Sequence, residues 1–122
     1  MHGTVYEWVD APSGETSKIL FGNELPEGVD LKPIEGASIN LYWVSIEDGE
    51  KVIHGSSPFS TTFTDSSGNF SNHHADPSPG AGNYHVKIMK EGFIEASEFL
   101  LHEDGIDYID YEMTVIMVRE TR

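Results

Sequence analysis

Hydrophobic and polar residues alternate along this chain in short runs, and Gly, Pro, Asp, Asn and Ser cluster between the runs. That is the signature of half-buried β-strands separated by turns. Gly3 to Val9 reads as the first strand, with Val5 and Val9 on one face and Tyr6 and Trp8 on the other. In Ala37 to Val44, Ile39, Leu41 and Trp43 oppose Ser38, Asn40 and Tyr42. Phe59 to Thr64 and Asn69 to His73 read as a hairpin-like pair around Thr64-Asp65-Ser66-Ser67-Gly68-Asn69-Phe70, whose turn residues tolerate tight or positive-φ backbone. Further on, Tyr84, Val86 and Ile88 alternate with His85, Lys87 and Met89, ahead of a turn at Lys90-Glu91-Gly92. Phe93 to His102 returns as a strand. Tyr108 to Val118 closes the chain, with Ile109, Tyr111, Met113, Val115 and Met117 aligned against Asp110, Glu112 and Thr114.

These runs predict an all-β fold, a seven-stranded Greek-key β-sandwich of the immunoglobulin or transthyretin-like kind. No long amphipathic helix is visible. Between the first two strands lies a long insertion, Asp10 to Pro33, which holds Pro12, Gly14, Gly22, Pro26 and Gly28 and is longer than most loops in compact domains. Within it, Ser17 to Phe21 is apolar enough for a short edge strand, and a similar short run passes through Val52 and Ile53 after a polar turn at Glu47 to Lys51. Asp76 to Gly82 carries Pro77 and Pro79 and is excluded from the middle of a sheet. Tyr84, at the start of its strand, is placed to bury its ring and bond its hydroxyl to nearby backbone.

Composition narrows the class of protein. At 122 residues the chain reads as one domain, 1–122, able to bury roughly two-thirds of its unfolded surface. It has no Cys, and so no disulfide, thiolate metal site or cysteine nucleophile. Its 21 acidic residues against 7 basic ones give a formal charge of −14, which argues against nucleic acid and against anionic membrane surfaces. No apolar run approaches the ~20 residues of a spanning helix. No signal peptide is visible, and Met1-His2-Gly3 leads straight into a strand, the abrupt start expected where a leader has been trimmed.

Few residues suggest chemistry. His73, His74 and Asp76 have metal-ligand side chains, but neighbours on a strand point to opposite faces, and a solvated loop is the plainer reading. Asp65, Ser67 and Asn69 imitate part of a calcium loop without its closing Glu, and a turn in which Asp65 bonds its own backbone accounts for them. Glu103, Asp104, Asp107 and Asp110 read as a solvated face. No Gly-x-Ser-x-Gly and no phosphate-cradling loop occur, so no catalytic, cofactor-binding or metal residue is assigned. The aromatics Tyr6, Trp8, Tyr42 and Trp43 are the candidate ligand contacts, since exposed rings stack on sugars or anchor a protein. Alternation places at least one of Tyr42 and Trp43 outward. Covering of these rings by the Asp10 to Pro33 insertion is the alternative.

In order along the chain, Gly3-Thr4-Val5, Gly36-Ala37-Ser38-Ile39-Asn40-Leu41, Thr64-Asp65-Ser66-Ser67-Gly68-Asn69-Phe70, Gly82-Asn83-Tyr84-His85-Val86 and Gly92-Phe93 resemble the carboxypeptidase regulatory-like domains of the transthyretin-like (prealbumin-like) β-sandwich group. The long insertion departs from that pattern. The resemblance implies a non-catalytic structural or interaction module of an exported, periplasmic or cell-surface bacterial system. Its partner would be a protein or a carbohydrate at the cell surface. Enzymes on related sandwiches fit poorly. A 5-hydroxyisourate hydrolase would end in Tyr-Arg-Gly-Ser rather than Arg119-Glu120-Thr121-Arg122. An intradiol dioxygenase needs a His-x-His pair where this chain has adjacent His73 and His74, and isopeptide-forming adhesin repeats need a Lys in the first strand. A carbohydrate-binding module using exposed aromatics and a small hydrolase are the alternative expectations.

Overall fold

A computed structural model describes residues 1–72, 83–101 and 111–120. Ten strands run through them: β1 (His2–Trp8), β2 (Lys18–Phe21), β3 (Leu31–Pro33), β4 (Ser38–Glu47), β5 (Glu50–His54), β6 (Ser60–Phe63), β7 (Asn69–Ser71), β8 (Asn83–Met89), β9 (Ala96–Leu100) and β10 (Glu112–Met117). They form two sheets packed together as a β-sandwich. The first has the order β2-β10-β1-β3, with β7 also on β1, and the second has β5-β4-β8-β9, with β6 also on β4.

The alternation read from sequence decides which side chains meet between the sheets. Val5, Met113, Val115 and Met117 from the first sheet and Ile39, Leu41, Val86, Ile88 and Leu100 from the second are buried in one core. Neighbouring strands are antiparallel except β1 and β10, which run parallel with His2 opposite Glu112 and Glu7 opposite Met117. That pair is drawn tight at Gly3, where an added Cβ would collide with the Met113 carbonyl oxygen and approach the Phe70 ring.

The strand count rises from the expected seven to ten because the two short apolar runs, at β2 and β5, are strands, and the end of the insertion adds β3. The insertion is thus built into the first sheet, with Ile19 of β2 reaching the core. Val9 is exposed, because β1 ends at Trp8.

Thr64 to Phe70 does not turn a hairpin. Residues before it, in β6, pair with β4 of the second sheet, and those after it, in β7, pair with β1 of the first. The motif carries the chain from one sheet to the other, and its residues fix the crossing. The buried Thr64 hydroxyl donates to the Ile34 carbonyl at 2.6 Å and accepts from the Ala37 N–H at 2.9 Å. Asp65 Oδ1 accepts from the N–H groups of Ser67 and Asn69, each at 2.9 Å, so the carboxylate bonds its own backbone as expected. At Gly68, φ is 79° and an added Cβ would lie 2.6 Å from the Val5 carbonyl oxygen, a place only glycine fills without strain.

Candidate binding face

The outward faces of the two sheets differ in what lies on them. On the first, β2 and β3 occupy opposite edges, and the core fills the inward side, so residues 22–30 must pass over the outward side or round its end. Asn23 and Leu25 share a groove of about 320 Å³ with Thr4, Tyr6 and Thr114, which places the crossing over the outward side. Thr114 and Ile116 are buried although they point away from the core. Tyr6 and Trp8 stand on this crossed face and are half-buried, with the Lys18 ammonium 5.6 Å from the Trp8 ring. Residues of the insertion thus lie beside both rings, each of which stays partly exposed.

On the second sheet, register places Tyr42, His85 and Phe99 in one outward row across β4, β8 and β9. Their rings form a strip, with centroids 6.4 Å apart for Tyr42 and His85 and 4.4 Å apart for His85 and Phe99. Two lysines lie over it: Lys87 Nζ is 5.1 Å from the Tyr42 centroid and Lys51 Nζ 4.9 Å from that of Phe99. Lys51 belongs to edge strand β5 and Phe99 to the opposite edge strand β9, so the lysine reaches across the sheet. Among the described residues neither lysine has an ion-pair partner.

Beneath these side chains His85 is only 6% exposed, although it occupies an outward position, and its Nδ1 is buried without a hydrogen-bond partner. Burial holds the imidazole pKa below its ordinary value, and the Lys87 charge pushes the same way against the weaker pull of Glu95 and Glu98. The neutral ring is favoured. Next to this row, Asn40 ties the strands together: its amide donates to Ser38 Oγ at 3.0 Å and accepts from Thr61 Oγ1 at 2.9 Å. Beyond it Phe63 and Met89, 64% and 45% exposed, flank Ser38 at the mouth of a cleft of about 660 Å³ that Glu91, Glu95 and Glu120 line from the loops. No Asp or Glu occupies an outward position of β4, β5, β6, β8 or β9.

Trp43 points the other way. It shares the inward face of β4 with Ile39 and Leu41, yet it is 46% exposed, stacked on Phe59 at 4.4 Å and against buried Tyr84 at 5.2 Å. The ring burial expected of Tyr84 is present, at 3% exposure. The four aromatic candidates thus do not converge: Tyr6 and Trp8 lie on one sheet, and Tyr42 and Trp43 lie on opposite faces of the other. Phe99, His85, Lys51 and Lys87 complete the strip around Tyr42. Their signal in the sequence was the polar half of each alternating strand, which carries rings and lysines where solvent-facing carboxylates would be ordinary in so acidic a chain.

Near Trp43, Ser45 Oγ lies 2.6 Å from His54 Nε2. A hydroxyl and an imidazole in reach are the start of a nucleophilic site. Here the pair bridges β4 and β5 on a solvent-exposed hairpin, and among the described residues no carboxylate orients the second ring nitrogen. Among the described residues no group of three His, Asp or Glu is placed to hold a metal ion. His73, His74, Asp76, Glu103, Asp104, Asp107 and Asp110 lie outside the described residues, as does Pro79 to Gly82. Comparison with protein-family models, with curated proteins and with solved structures finds no match to this chain.

Proposed function

We propose that this chain is a non-catalytic interaction module of an exported or cell-surface bacterial system, built on a transthyretin-like sandwich, and that it meets its partner through the outward face of the second sheet. The observation that carries this reading is the contrast between the two outward faces. One is crossed by the chain's own insertion. The other presents half-buried Tyr42 and Phe99, exposed Phe63 and Met89 and two lysines, with no Asp or Glu at an outward strand position among the described residues, in a chain with 21 acidic residues. Rings and methionine beside cations that have no ion-pair partner among the described residues are the composition of surfaces that other molecules cover. The Ser45–His54 bond fits the same reading as a cross-strand contact.

A photo-crosslinking residue placed at Tyr42, compared with one at Tyr6, tests where partners dock. Adducts in envelope extracts of the source cells are expected from position 42 and not from position 6. The reverse pattern would remove the assigned face. Turnover of ester, peptide or glycoside substrates that His54→Ala abolishes would overturn the non-catalytic assignment.

A further inference from the structure

Resting on that reading, the structure assigns a ligand class to the face: we infer that the strip of Tyr42, His85 and Phe99, with Lys51 and Lys87 laid over it, binds an acidic polysaccharide, a chain of sugar rings bearing carboxylates. The charge pattern points there first. With seven basic residues among 21 acidic ones, a lysine is expected to find a carboxylate. Lys51 and Lys87 instead rest on aromatic rings, 4.9 and 5.1 Å from the centroids, on strands whose outward positions hold no Asp or Glu among the described residues. The net charge of −14 does not forbid an anion there. At physiological ionic strength charges more than about 8 Å away are largely screened, and at His85 the Lys87 charge outweighs those of Glu95 and Glu98.

The remainder of the face suits sugar better than an acidic peptide. Ser38 and Thr61 set hydroxyls beside the rings, held there by the buried Asn40 amide, and these suit a ligand with many hydroxyls. Ring faces stack against the C–H face of a pyranose, a contact that a glutamate side chain does not offer. On binding, each ammonium leaves its ring for a carboxylate, and the freed ring passes to the sugar. An exposed cation–π contact is worth about 0.5–1 kcal/mol, so the exchange is easily reversible.

The test is an amide-resolved NMR titration with a galacturonic acid oligomer, a neutral glucose oligomer of similar length and poly-glutamate. We expect shifts at Tyr42, His85, Lys87 and Phe99 with the uronate oligomer alone. Binding should weaken with salt, fall by about tenfold in the Lys51→Gln/Lys87→Gln double variant, as for the loss of two exposed charge contacts, and persist in Lys18→Gln. Absence of shifts with the uronate oligomer overturns the inference. Equal shifts with the neutral oligomer overturn its acidic part. Equal shifts on the same strip with poly-glutamate leave the face standing and overturn the sugar. Shifts confined to Tyr6 and the groove beside Leu25 overturn both the ligand and the face.

Discussion

His85 shows what happens when an outward-facing position is buried by its neighbours. Between Tyr42 and Phe99 the imidazole is desolvated, and Lys87 adds a like charge, so the folded protein resists its protonation. The unfolded chain takes up that proton near the ordinary value of 6.5, and the folded chain only at lower pH. Between the two values the unfolded state binds more protons, and stability falls as pH falls. Above 6.5 both states are neutral and the residue is silent, while below the folded value the loss is complete. The stability difference between wild type and His85→Gln is expected to be flat above pH 7 and to shrink as pH drops below about 6.5. Denaturant titrations at several pH values read it out, and parallel curves across that range would contradict the burial argument. None of this was legible in the sequence, where His85 stood at a polar position of a clean alternation.

The segment from Thr64 to Phe70 makes the corresponding point for elements. Its composition announced a turn, and the Asp65 backbone bonding and the Gly68 conformation followed from residue type alone. What local chemistry left open was which strands the turn joins, because a hairpin and an inter-sheet crossing both need a tight reversal. The contacts that decide are with residues far away in sequence, Ile34, Ala37 and Val5. Thr64→Val keeps the shape and leaves the Ala37 N–H and the Ile34 carbonyl without their buried partner. It is expected to cost about 1–3 kcal/mol. A urea midpoint that falls at unchanged slope would register it, and an unmoved midpoint would show that the hydroxyl is not the pin. The insertion followed a similar course. Ile19 and Leu20 signalled a strand, but β3 is three residues long and contains Pro33, too little pattern to stand out.

At the scale of the molecule, the sequence carried the sandwich and most of its core, since Val5, Ile39, Leu41, Val86, Ile88, Met113 and Val115 lie inward as alternation requires. The candidate face was less legible because alternation assigns a side chain to a face without saying what covers that face. Tyr6 and Tyr42 look alike in the sequence. One lies on the side crossed by residues 22–30, and the other bears Lys87 from the neighbouring strand β8. Trp43 adds the opposite lesson, being inward by pattern and exposed by its position at the end of the sandwich.

The parallel pairing of β1 with β10 gives the sandwich a mechanical axis. Tension applied between residues 1 and 118 pulls the two strands along their length in opposite directions, so the bonds from His2 through Glu7 are loaded together. Between residues 1 and 72 the load is different: β1 and β7 are antiparallel, with Met1 bonded to Asn72 at the near end, and the pair opens one bond at a time. Because the chain has no native Cys, thiol handles can be placed at either pair of sites without ambiguity. Single-molecule pulling is expected to need a markedly higher force for the 1 and 118 geometry, and equal forces would show that the β1–β10 seam does not bear the load. A module with such a seam can transmit tension along its chain while the outward face of its second sheet stays folded and available.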